Sequence, residues 1–199
     1  MTAAHPKPGA IPPFEARNGY PNAVLPDGVY PCDEDSVRER FVDGFSGSTR
    51  RSTVFNGFVR LRTAATGLNL AFTQWVDGSF VEAKHEPGDI DVVTFADGDA
   101  LNAMSVDVQD KVEQLLNAGE ATQQNYSSHT FLVPAYPQGH PDWASFDSLR
   151  RYWRQWWGTT RDHDPTTGQP WIAHQKGFLE MIIGNRDAAP QISPARSAP

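Results

Sequence analysis

Two aspartates flanking one apolar residue, Asp89 and Asp91, follow a Gly-Ser pair, Gly78-Ser79, after an interval of nine residues. On a strand, residues two apart share a face, so Asp89 and Asp91 point one way while Ile90 and Val92 turn into the core. Like charges a few ångströms apart repel each other unless a cation lies between them, so the pair suits Mg²⁺ or Mn²⁺. Glycine at position 78 allows the backbone to come close to a phosphate, and backbone N–H groups with the Ser79 hydroxyl can donate to its oxygens. A phosphate clamp facing a carboxylate–metal clamp is what phosphoryl or nucleotidyl transfer requires, since catalysis there is mostly positioning and charge neutralisation. Taken singly, Gly-Ser is an ordinary turn and Asp-Ile-Asp a solvated strand start. The spacing and the strand–turn–strand context together favour the chemical reading.

This segment resembles the signature of the polymerase-β nucleotidyltransferase superfamily: an apolar residue, Gly with Gly or Ser, a short interval, then acid–apolar–acid–apolar. More closely, the chain resembles a bacterial group of short nucleotidyltransferase-fold proteins. The resemblance rests on LPDGVYP (25–31), VDGSFV (76–81), PGDIDV (87–92), VPAYPQGHP (133–141) and YWRQWWGTTR (152–161). It implies transfer of a nucleoside monophosphate from a nucleoside triphosphate (NTP) to a hydroxyl of protein, RNA or a small molecule. Asp89 and Asp91 would hold the metal, and Gly78 and Ser79 the phosphates. By analogy of fold, it also implies a toxin–antitoxin or phage-defence setting with a cognate partner protein. Active members usually place a third carboxylate on a neighbouring strand. The expected strand, 129–133, contains no acid; Glu120 precedes it, Asp142 follows, and Glu180 belongs to a later strand. His129 is then the residue available as base, through a neutral imidazole. The alternative is a catalytically inactive module that binds a nucleotide or a partner, and a weaker one is an antitoxin or structural subunit using its arginine faces.

Further cations lie where phosphates could be met. Lys84, with His85, stands in the loop between the Gly-Ser turn and Asp89, and reads equally as a solvated loop charge. Arg154 and Arg161 accompany a run of tryptophans; they suit triphosphate binding, whereas the tryptophans suit a helix packed on the core, or a base stacked on an exposed ring. Arg50, Arg51, Arg60 and Arg62 read as a solvated helix face. Arg-Asp-His-Asp at 161–164 lacks standard ligand spacing and reads as a loop.

The elements that must position these residues are legible in the pattern. Residues 37–45 form a short helix capped by Asp33, Asp35 or Ser36, and residues 49–65 a second helix stopped by Gly67. Alternation over 70–75 gives a strand entering the Gly-Ser turn, and residues 89–95 give the next. A helix capped by Asp99 continues to about Leu116 and stops at Gly119. A strand at 129–133, a helix over 146–157 and a strand at 177–183 complete the order. These predict an α+β, or mixed α/β, domain: a small nucleotidyltransferase-like mixed sheet with helices packed on one side.

Seven prolines within residues 1–31 predict an extended arm whose second half packs on a domain spanning 32–186, and residues 187–199 read as a disordered tail. With 199 residues, 39% of them hydrophobic, one core is affordable. A net charge of −7 argues against broad binding along duplex nucleic acid. The single cysteine, Cys32, excludes an intrachain disulfide, and no apolar run reaches a membrane span. A soluble cytoplasmic protein is the expectation.

Overall fold

Alternating residues build the centre of the molecule. In Phe72–Asp77 (β2), Phe72 and Val76 face one way while Trp75 and Asp77 face the other, and Ile90–Asp97 (β3) repeats the pattern with Ile90 and Val92 against Asp91, Val93 and Phe95. The computed structural model describes residues 9–161 and 166–192. In chain order it comprises β1 (Gly28–Pro31), α1 (Glu34–Arg38) running on into a π-helical turn (Glu39–Asp43), α2 (Arg51–Thr66), β2, a 3₁₀ turn (Ser79–Val81) and β3. There follow α3 (Gly98–Asn102), α4 (Val106–Leu116), a 3₁₀ turn (Glu120–Thr122) leading into α5 (Gln123–Tyr126), β4 (Ser128–Ala135), α6 (Trp143–Trp157) and β5 (Gly177–Ile183).

The five strands form one mixed sheet in the order β1-β5-β2-β3-β4. β2 is antiparallel to β3 and β5, while β1 runs parallel to β5 and β4 parallel to β3. The larger core lies where α1, α2 and α4 pack on one side of the sheet, through Val37, Phe55, Phe58, Leu61, Val112 and Leu116. Each such buried side chain contributes about 1.5–3 kcal/mol. Across the opposite face lies α6, whose Phe146 and Trp157 meet Trp75, Phe95 and Phe178.

Several local expectations are corrected. Residues 28–31 pair as β1; an edge strand tolerates the missing N–H of Pro31. The helix expected from Asp99 is two helices: Asp97, not Asp99, accepts from the Ala100 N–H at 2.9 Å, and extended Ser105 restarts the chain as α4. Arg51 and Arg62 are buried rather than solvated, because α2 presents them to backbone carbonyls and, for Arg62, to Gln74 and Glu34. The tail is ordered at least to Ile192. Ala189 and Ile192 are buried, and Thr73 Oγ1 donates to the Pro190 carbonyl at 2.6 Å. Residues 193–199, Met1 to Pro8 of the arm, and residues 162–164 of the Arg-Asp-His-Asp run lie outside the described residues. No helix among the described residues is long and apolar enough to cross a membrane.

Candidate functional site

Strand pairing aligns three polar side chains across the sheet. Asp77 on β2 is the register partner of Asp91 on β3, and Asp91 that of His129 on β4. Equal register on adjacent strands puts all three on the face that α6 covers, at one end of the sheet. His129 Nδ1 lies 3.5 Å from Asp91 Oδ1. Gly78 follows Asp77 with φ of +85°, and a Cβ there would collide with Asp91 Oδ2, so both the backbone conformation and the close approach demand glycine. Ser79 then opens the 3₁₀ turn. Asp89, one residue before β3, is held from the side by Gln123 of α5, whose amide donates to its Oδ2.

This end of the sheet is short of positive charge on the Asp91 side. Burial, and next the Asp89 charge, push the Asp91 carboxyl up to about 6, with Lys176 pulling the other way. A divalent cation would relieve that repulsion. The donors fit one: both are hard carboxylate oxygens, and Mg²⁺ commonly takes one or two protein carboxylates and completes its shell with water and substrate phosphates. Among the described residues, no group of three or more His, Cys, Asp or Glu is arranged to hold a metal. A metal held by Asp89 and Asp91 alone would therefore rely on water and substrate for the rest of its shell.

On the Asp77 side the chain supplies its own cation. Lys176 Nζ lies 2.8 Å from Asp77 Oδ1 and 3.1 Å from Glu82 Oε1, all three buried. Tyr20 donates its hydroxyl to Glu82 at 3.0 Å. Burial raises Asp77 to about 7 against the pull of Lys176. Burial disfavours the Lys176 charge as well, but Asp77 and Glu82 outweigh it and hold the ammonium above its ordinary pKa. An ammonium has three N–H donors, and the third finds no acceptor among the described residues.

The loop between β2 and β3 is tied to the start of α2. The fully buried Arg51 donates to the carbonyls of Phe41, Phe80, Glu82 and Lys84 at 2.6–2.9 Å. Glu86 accepts from the N–H groups of Thr49 and Arg50, both at 3.0 Å, and so caps that helix from outside its own sequence.

Beside the Gly-Ser turn lies a cavity of about 470 Å³. Asp77, Asp91, His129 and Lys176 lie on its floor, with Gly78 and Ser79 at the turn. Tyr152, Trp153, Trp156 and Arg161 form the opposite wall. Of the residues expected from sequence, Gly78, Ser79, Asp91, His129 and Arg161 line this space, and Asp89 acts on it through Asp91. Two do not. Lys84 is exposed outside the cavity lining, and Arg154 faces a separate recess beside Asp27 and Gly28. Glu180 is turned to Trp75, whose indole N–H donates to it at 3.0 Å. Cys32 is no nucleophile, since burial pushes its thiol up to about 12. Sequence reasoning missed Asp77, Glu82, Lys176 and Tyr20. Only Asp77 carried a signal: it precedes Gly78 in a strand whose alternation puts it on the face of Trp75.

The chain belongs to a family of unknown function (DUF6932), whose model matches residues 18–182, a span containing every residue of the floor and wall. No curated protein and no solved structure matches it.

Proposed function

We propose that this domain transfers a nucleoside monophosphate from an NTP to a hydroxyl of a protein, an RNA or a small molecule, releasing pyrophosphate. The observation that carries the reading is the close approach of Asp91 to Gly78: one acid of the pair and the Gly-Ser turn lie against each other, beside a cavity of nucleotide size. In this reading the Ser79 hydroxyl and the backbone N–H groups of the turn hold phosphate oxygens, and Lys176 adds a positive charge from the floor. Mg²⁺ or Mn²⁺ bound by Asp89 and Asp91 would neutralise charge on the phosphates and the reacting oxygens. The acceptor hydroxyl oxygen bonds to the α-phosphorus, and the bond from that phosphorus to the bridging oxygen breaks. Pyrophosphate takes that electron pair, and the hydroxyl proton passes to the His129 imidazole. A toxin–antitoxin or phage-defence role with a cognate partner belongs to the same proposal, by analogy of fold.

The test is label transfer and pyrophosphate release from the four α-labelled NTPs, with Mg²⁺ or Mn²⁺ and a host lysate as acceptor pool. Asp89→Ala/Asp91→Ala is expected to lower transfer by about 10²-fold or more while the thermal melt stays cooperative. Transfer that persists in the double variant removes both aspartates from the mechanism. A second reading, binding without turnover, is favoured by one observation: the acid nearest in register to Asp91 is Asp77, and it is committed to Lys176. Metal-dependent NTP binding with no pyrophosphate release would select it.

A further inference from the structure

The wall of the cavity carries aromatic surface that core packing does not explain. Trp157 is buried and meets Phe178, but Tyr152 and Trp156 on the same helix are 51% and 45% exposed while lining the cavity. Tyr152 and Trp156 lie nearly parallel, with ring centroids 5.8 Å apart. Trp153 joins them to the floor through Phe131, 4.6 Å away, which in turn lies 4.5 Å from the ring of His129. The Arg161 guanidinium lies 3.2 Å from the centre of the Trp156 ring. A flat delocalised group thus already rests on that ring at stacking distance. The cavity therefore has a charged end, which a divalent cation at Asp89 and Asp91 would make receptive to phosphate, and an aromatic end; with the cation bound it matches a ligand that is anionic at one end and planar at the other.

We infer that the aromatic wall of Tyr152, Trp153 and Trp156 receives the nucleobase of the triphosphate and holds it by stacking rather than by reading its edge. The inference rests on the transferase site proposed above and adds its base preference. Every base has a π-face, so stacking tolerates all of them, whereas discrimination requires paired donors and acceptors at the base edge. Asparagine and glutamine, which read base edges in pairs, are absent from the described residues lining the cavity; the polar side-chain groups of the wall are Thr159, the Tyr152 hydroxyl, the indole N–H donors and Arg161, and the Arg161 guanidinium lies over the face of the Trp156 ring. All four NTPs are accepted, the purines ahead of the pyrimidines through their larger stacking area.

Calorimetric titration of the full chain in Mg²⁺ with ATP, GTP, CTP, UTP and inorganic tripolyphosphate tests this directly. Each NTP should bind about 5- to 150-fold more tightly than tripolyphosphate, and the four should fall within about tenfold of one another. Trp156→Ala should remove most of that advantage and leave tripolyphosphate affinity unchanged, with Trp156→Phe recovering part of it. Thermal melts check that both variants fold, as expected for an exposed position. Equal binding of tripolyphosphate and NTP, an unchanged advantage in Trp156→Ala, or one base ahead by more than about a hundredfold would each overturn the inference. Label transfer measured on the same variants separates the two readings. Transfer and binding indifferent to Trp156 would sink the stacking wall and leave the transferase. Trp156-dependent binding without transfer would do the reverse, and failure of every triphosphate to bind would sink both.

Discussion

Asp91 is a carboxylate placed where the metal-free fold would be more stable with a neutral group. Its folded pKa of about 6 lies above the ordinary 3.8, so the folded state binds its proton more tightly than the unfolded chain. That contribution is complete below the unfolded value and is lost as pH rises through about 6. In chelator, Asp91→Asn is therefore expected to exceed the wild type in stability by about 1–3 kcal/mol at pH 7.5, the gap closing toward pH 4. Denaturant melts across that range check it, and Mg²⁺ should stabilise the wild type but not the variant. The elements of this site that were legible in the sequence are those fixed by short spacing: Gly78, Ser79, Asp89 and Asp91 fall within one strand–turn–strand unit. Asp77 and Lys176 were not legible as a pair. They are 99 residues apart, and only the pairing of β2 with β5 brings the ammonium to the carboxylate.

Between elements, the decisive contacts are those that set the distance of α2 and α5 from the mouth of the site. Gly57 on α2 lies so close to the Tyr126 carbonyl that a Cβ would overlap it, and Ser127 beyond it bonds to the Ile90 N–H at 3.0 Å. The same short helix, α5, carries the Gln123 amide that holds Asp89. Gly57→Ala should thus destabilise the protein by about 1–3 kcal/mol, although alanine is the better helix former, because overpacking outweighs propensity. Urea unfolding measures the loss, and transfer activity should fall with it if α5 shifts. Periodicity made β2, β3, β4, β5 and the main helices readable. It could not reveal β1, a four-residue edge strand among prolines, or that α2 would bury Arg51 and Arg62. An arginine spaced like a surface residue becomes a core residue only when another segment brings carbonyls to it, as residues 80–84 do for Arg51.

At the scale of the whole molecule, the sheet brings together segments far apart in the chain: Gly28 pairs with Gly177, and β5 lies between β1 and β2. Such non-local pairing is slow to form, because long loops must close before their contacts stabilise anything. A chain cut at residue 170 would leave β1 unpaired and β2 as an open edge, and is expected to lose its cooperative melt, as read by circular dichroism. The mixed sheet with α1, α2 and α4 packed on one side was legible as a class, since alternating strand and helix patterns admit few layer arrangements; that α6 would cover the other face was not. Its strand order was not, because no local signal specifies β5 as an inner strand. Lys176 stands just before that strand and is the cation for two buried acids made much earlier in the chain. On the ribosome, Asp77, Glu82, Asp91 and His129 all emerge before it. The nascent protein cannot bury its acids until Lys176 and β5 have appeared, so the cavity closes late in synthesis, and an unfinished chain has no complete floor on which to bind a nucleotide.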